Sequence, residues 1–383
     1  MLNHKFRKMP NDKKMKKILF ILHFPPPVHG SSIVGQAVKN SLIINKSFYC
    51  RYINLLVSRT MNESGKPSII KIYRFINLWI RLLYEIIKDK PDVCYLALTA
   101  SGMAFYKDVL LIVLLRFFRI KRVYHLHNQG VRLNQEMKLN ALFYRFVFKN
   151  ADVILLSNQL YKDVMTFVPI SNVYICPNGI VDTFTNLDTK SLILKKTVKI
   201  LFLSNLQESK GIFVLLDACT VLQHRGIDFE CNFIGAEGDL NANLFYEIVQ
   251  QKQLLTRVNY LGKKFGKEKE EIFANADIFV HPTLNDCFPL VLLEAMQYSL
   301  PVVSTYEGGI SDIVEDGISG YLVPQNSVGA LVEKIEALIK NPELREKMGK
   351  AGRLKFENEF TLDRFEHNLN EILQTVAEKN TKN

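Results

Sequence analysis

The chain has 383 residues, 48% hydrophobic and 23% charged, which is enough for two ordinary domains with their own cores and excludes a disordered chain. Its six cysteines (Cys50, Cys94, Cys176, Cys219, Cys231 and Cys287) are scattered, with no C-x-x-C pair or histidine at ligand spacing; that usage excludes a disulfide framework or structural zinc and fits a reducing cytosol. Charge is uneven: residues 1–190 carry 28 Lys and Arg against 11 Asp and Glu, whereas residues 191–383 carry 21 against 27, so an anionic partner is expected on the first half only.

From the N-terminus, a basic start leads into Lys16 to Phe24, a buried strand of the parallel type. Its apolar run is too short for a signal peptide and ends in Pro25-Pro26-Pro27. No apolar stretch reaches the ~18 residues that would span a bilayer. His29-Gly30-Ser31-Ser32 follows, then a helix from about Ile33. The stretches Ile69 to Lys90 and Val109 to Arg122 interleave basic and apolar residues. Either their apolar residues face the core and Lys71, Arg74 and Arg81 form a solvated face, or this half, with the single Trp79, touches an anionic membrane surface reversibly. Charge alone admits nucleic acid, but no reader motif is present and none is expected.

Asp92 to Leu98, Arg122 to Leu126 and Val153 to Leu156 repeat the strand pattern with helical stretches between, which predicts a doubly wound parallel sheet. In Tyr124-His125-Leu126-His127-Asn128, alternation puts His125 and His127 on one side, His127 nearer the carboxyl end. A linker is expected at about 183–196. A second alternating series follows: Val198 to Leu203, Phe229 to Ile234, Val258 to Leu261, Ile278 to His281, Pro301 to Ser304 and Gly320 to Val323. The expected division is therefore 1–188, 189–360 and a terminal helix within 361–383.

The segment His281 to Val303 holds two carboxylates, Asp286 and Glu294, eight positions apart. Pro289 suits the first turn of a helix, and strong helix formers run through Gln297. Asp286 is thus expected in a loop at the helix's positive end and Glu294 inside the helix. A helix N-terminus is a ready phosphate site, and carboxylates beside it accept hydroxyl hydrogen bonds. The pattern points to a sugar-nucleotide pocket. No D-x-D pair and no His/Asp/Glu set at ligand spacing is present, so no metal and no cofactor are expected.

These residues resemble the E-x7-E motif of retaining glycosyltransferases of family 4, here Asp286-x7-Glu294. In register with it run Cys176-Pro177-Asn178-Gly179-Ile180-Val181-Asp182, the stretch Ile200 to Gly211, Phe233-Ile234-Gly235-Ala236-Glu237-Gly238, and Gly308-Gly309-Ile310-Ser311-Asp312 with Gly320-Tyr321-Leu322-Val323. The resemblance is dense over about 176–325 and thinner before. It implies a GT-B fold: two Rossmann-like doubly wound domains around a cleft, the first binding acceptor, the second the nucleotide sugar, with the last helix crossing back to the first. It further implies that Lys210 binds the diphosphate with the helix start Phe288-Pro289-Leu290, that Glu294 holds the ribose, and that Asp286 and His127 face the transferred sugar. Gly30 resembles the glycine loop near the phosphates, although His29 precedes it. Asn205 stands where the family has arginine and is expected to donate to the donor without charge. Asp286 is a methylene shorter than the family's glutamate. His125 is expected to be structural, Glu307 to join the donor site through its loop, and Asp312 to fix loop geometry.

The implied activity is same-face transfer from a UDP- or GDP-sugar to a lipid-linked saccharide in capsule or O-antigen assembly, by a cytoplasmic protein on the inner membrane face. A GT-B sugar-nucleotide 2-epimerase and a non-catalytic partner subunit remain as alternatives.

Overall fold

The computed structural model describes residues 15–56, 69–184 and 197–379. The first sheet contains β1 (Lys17–Leu22), β2 (Tyr49–Asn54), β3 (Val93–Leu98), β4 (Lys121–Leu126), β5 (Asp152–Leu155) and β6 (Val173–Ile175), in the order β2-β1-β3-β4-β5-β6. The second contains β7 (Val198–Leu203), β8 (Phe229–Ile234), β9 (Val258–Tyr260), β10 (Ile278–His281), β11 (Val302–Thr305) and β12 (Gly320–Val323), in the order β12-β11-β10-β7-β8-β9. Neighbouring strands are parallel throughout both sheets. β3, β5 and β10 are buried along their whole length, as parallel strands covered by helices on both faces must be. Sequence periodicity misses β2 and β6. Both are edge strands, one carrying Arg51 and Asn54 and the other only three half-buried residues long, so neither shows a continuous apolar run.

In each sheet the strand order reverses beside the first strand: between β1 and β3, and between β7 and β10. A crevice opens at such a switch point, outside the carboxyl ends of the strands, which is where open α/β sheets bind ligands. The helix after β1 spans Gly30–Asn40, three residues earlier than the sequence suggests.

Helix Leu362–Glu378 belongs to the first sheet's packing although it closes the chain. Phe365, Leu369, Leu373 and Val376 share a core with Ile18, Phe20, Val93 and Tyr95. Lys379 Nζ anchors the helix end on Asp152 at 2.9 Å. The expected linker and the 188/189 boundary lie outside the described residues, apart from 183 and 184. Ahead of them, Asp182 accepts from Arg353 Nη1 at 2.9 Å and Nη2 at 2.6 Å, and Gln297 Nε2 donates to it at 3.1 Å. Burial pushes the Asp182 carboxyl up, but these bonds outweigh it and hold the pKa below its ordinary value. Asp312 does not merely shape its own loop. It reaches the first sheet's side, accepting from Ser157 Oγ at 2.5 Å and Asn158 N at 2.9 Å.

Helix Ile69–Lys88 has both buried and exposed apolar residues. Leu78, Leu82 and Ile86 are buried, yet Ile72, Tyr73, Ile76, Ile80, Tyr84 and Ile87 are exposed. Its outer side is therefore not a purely solvated face of Lys71, Arg74 and Arg81. Among the described residues no helix is long and apolar enough to cross a membrane.

Candidate active site

A cleft of about 560 Å³ lies at the carboxyl ends of both sheets and spans both switch points. From the first sheet it is lined after β1 by His23, His29, Gly30 and Ser31, after β3 by Thr99, and after β4 by His127 and Asn128. From the second it is lined by Lys210 after β7, by the loop and helix start from Asp286 to Val291 after β10, and by Glu294 and Lys269. Lys210, Asp286, Glu294, His127, Gly30 and the Phe288-Pro289-Leu290 turn thus meet in one crevice.

Lys210 Nζ donates to Asp286 Oδ2 at 2.8 Å and to the Asn285 carbonyl at 2.9 Å. An ammonium has three N–H donors, so one is left for an incoming oxygen. His281, buried at the end of β10, lies with Nε2 3.1 Å from the same Asp286 oxygen. Burial pushes the Asp286 carboxyl up, but His281 and then Lys210 outweigh it and hold the group below the usual carboxylate value. Asp286 is therefore a fixed anion at neutral pH, and it clamps Lys210 towards the cleft.

Helix Leu290–Gln297 begins at Pro289, which sits one position before the first helical residue and has no capping side chain. With no acidic residue in the first turn either, the N–H groups of Leu290 and Val291 are open to an anion at the cleft wall. Phe288 is buried, its ring centroid 6.0 Å from that of Phe360. One turn further, Glu294 meets Lys269, whose Nζ is 2.8 Å from Oε1 and 2.7 Å from Oε2. The ammonium is off the hydrogen-bonding direction of Oε2, so that buried oxygen remains an acceptor without a directed donor.

The first-sheet wall is rich in histidine. His127 follows β4, its ring centroid 4.1 Å from that of His125, and its buried Nδ1 has no partner. His125 is internal, bonded through Nδ1 to the Tyr95 hydroxyl. Ser31 Oγ lies 3.1 Å from His29 Nδ1 and 3.4 Å from His23 Nδ1. Burial, with His29 adding to it, pushes His127 down to about 4, and burial lowers His23 and His125 as well. All three are neutral at pH 7 in the folded chain but titrate near 6.5 when unfolded. Stability is thus fully present above pH 6.5 and falls as pH drops from 6.5 towards 4. Each histidine contributes a slope of up to about 1.4 kcal/mol per pH unit. The urea midpoint should hold above pH 6.5 and drop steadily between pH 6.5 and 5, and His125→Asn should flatten that decline.

Gly30 has a negative φ, and a Cβ built there meets nothing within 4 Å. No turn requires this glycine; the space beside it belongs to the cleft. Asn205 lies outside the cleft lining, and its Oδ1 accepts from Ala236 N at 3.4 Å, in the loop after β8. Glu307 also lies outside the lining and joins the two sides instead, accepting from Gln129 and, at 2.8 Å, from Gln325. Among the described residues, no group of three or more His, Cys, Asp and Glu side chains could hold a metal ion.

Residues 183–355 match the family described as glycosyl transferases group 1. The chain is similar to the amylovoran biosynthesis glycosyltransferase AmsK of Erwinia amylovora, 28% identical over 69% of this chain and 66% of that one. It is also similar to the putative colanic acid biosynthesis glycosyltransferase WcaL of Escherichia coli K12, 31% identical over 47% of this chain and 45% of that one. The aligned parts thus span less than two thirds of either relative. In three dimensions it resembles Anabaena HepE, solved in complex with UDP and glucose, with a TM-score of 0.69 and 16% identity over 94% of this chain and 100% of that one.

Proposed function

We propose that this chain, a GT-B protein whose residues 183–355 match the glycosyl transferases group 1 family, is a retaining glycosyltransferase of surface polysaccharide assembly. It moves one sugar from a nucleotide-sugar donor to a lipid-linked saccharide at the inner face of the cell membrane. One arrangement carries the reading: the Asp286-clamped Lys210 and the uncapped start of helix Leu290–Gln297 share a cleft with Glu294. The diphosphate takes the free Lys210 N–H and the helix-start N–H groups, which stabilise charge as the leaving group departs. The Glu294 carboxylate accepts from the ribose. Asp286 and the neutral His127 face the transferred sugar from opposite walls. The acceptor approaches on the face the donor phosphate occupies, and that phosphate takes the acceptor's proton. The scheme uses positioning and electrostatics and requires no carboxylate nucleophile.

Because Asn205 brings no cation to the phosphates, Lys210 and the helix start carry them here. Donor identity is tested by thermal unfolding in a panel of UDP-, GDP- and ADP-sugars, since a ligand bound to the native state raises its stability. A donor present at a hundred times its Kd should add about 2.7 kcal/mol. No protection by any member of the panel would count against the reading. Epimerised nucleotide sugar formed without acceptor would favour an isomerase instead, and binding without turnover over many acceptors a non-catalytic subunit.

A further inference from the structure

Helix Ile69–Lys88 carries two apolar stripes. Leu78, Leu82 and Ile86 face the core, while Ile69, Tyr73, Ile76, Ile80, Tyr84 and Ile87 recur every three or four residues on the outside. The outer stripe is strongly exposed, Ile69 at 85% and Ile87 at 68%. The helix Gly102–Phe117 packs beside it and exposes Leu110, Val113 and Phe117, which are again at helical spacing. An apolar surface of this extent on a soluble domain marks an interaction face.

Charge decides what covers it. The helix's one acidic residue, Glu85, is bound by Arg51 at 2.7 Å, and the next, Asp89, by Lys17. Arg81 and Lys88 are exposed at the border of the stripe, and Lys88 Nζ lies over the Tyr84 ring at 5.6 Å. Residues 1–190 as a whole have 17 more cationic than acidic side chains. Two copies of so basic a surface would repel each other. The preceding residues 57–68, VSRTMNESGKPS, are too polar to bury six large apolar side chains. An apolar stripe bordered by cations is complementary to the headgroup–acyl boundary of an anionic bilayer.

We infer that the outer face of Ile69–Lys88, extended by Leu110, Val113 and Phe117, is the surface on which this protein docks to an anionic lipid bilayer. The inference rests on the reading above that the acceptor is lipid-linked. None of these residues lines the cleft, so docking does not use the donor-binding side chains.

The test is co-sedimentation of the full chain with vesicles of phosphatidylcholine alone and of phosphatidylcholine mixed with phosphatidylglycerol, without sugars. The wild type should sediment with the mixed vesicles and much less with the neutral ones. The variants I76D/I80D and Y84D alter only exposed positions, at 49%, 53% and 57%, and should melt like the wild type. Each should lose roughly tenfold or more of the bound fraction, and R81E/K88E a similar amount. Donor protection in the thermal assay should be unchanged in all of them, which separates failure of docking from failure of the transferase reading. Equal sedimentation of wild type and I76D/I80D, or no sedimentation of wild type, would overturn the inference. So would a lipid-free wild-type dimer that becomes monomeric in I76D/I80D, since the stripe would then be a contact between copies.

Discussion

Lys210→Ala should lower kcat by about 10²–10³-fold, the loss seen when one fixed donor is removed from charge that develops in a transition state. Phosphate charge grows as the sugar leaves, so Lys210 acts mainly on kcat. Glu294→Ala should lower kcat/KM by a comparable factor, chiefly through donor KM, because ribose hydroxyls are held equally in ground and transition states. Folding should survive both changes. Without Lys210, Asp286 keeps its bond to His281; without Glu294, Lys269 remains partly solvated, with 27% of its side chain exposed. Melting temperatures should stay within about 4 °C of wild type. Initial rates over a donor concentration series, with a melt of each variant, check both parts. Unchanged turnover in both variants would remove the basis of the assignment.

Much of this site is legible in the residues themselves. A carboxylate, a proline and seven helix formers in Asp286 to Gln297 dictate a loop, a helix start and an inner carboxylate, and the structure has all three. The central strands are apolar runs and show plainly, whereas the edge strands β2 and β6 do not. Lys269 was hidden for a different reason. It stands in Lys267-Glu268-Lys269-Glu270-Glu271, which reads as a solvated charge run, and only the packing of helix Gly266–Asn275 against Leu290–Gln297 brings one of those lysines to Glu294. His281 reads as an ordinary strand end; its bond to Asp286 depends on how the intervening loop folds back. Asn205 is legible only by its motif position; that its Oδ1 accepts from the backbone N–H of Ala236 depends on how the loop after β8 folds. The outer stripe of Ile69–Lys88 could not be told from the inner one, since both belong to one broad apolar face whose periodicity does not show where the core ends.

Gly211→Ala should be a damaging single-methyl change beside the site, costing stability and transfer together. Gly211 ends the turn Glu208–Lys210 at φ +80°, in the left-handed region. A side chain there costs about 1–2 kcal/mol on backbone grounds alone. The second cost is specific: a Cβ at Gly211 would lie 2.0 Å from the carbonyl oxygen of Pro282. Pro282 opens the loop that carries Asp286, so this backbone contact sets the distance between Lys210 and its clamp. Relieving the collision requires a shift of more than about 1 Å, and displacement on that scale costs on the order of 10²-fold in rate. Gly226→Ala supplies the control, because Gly226 has φ +68° and nothing within 4 Å of its Cβ position. It should lose about 1–2 kcal/mol by urea unfolding with kcat unchanged, whereas Gly211→Ala should lose more stability and about 10²-fold in kcat. If the two alanine variants were alike in both assays, the contact between the Lys210 turn and Pro282 would have no part in holding the ammonium at the cleft.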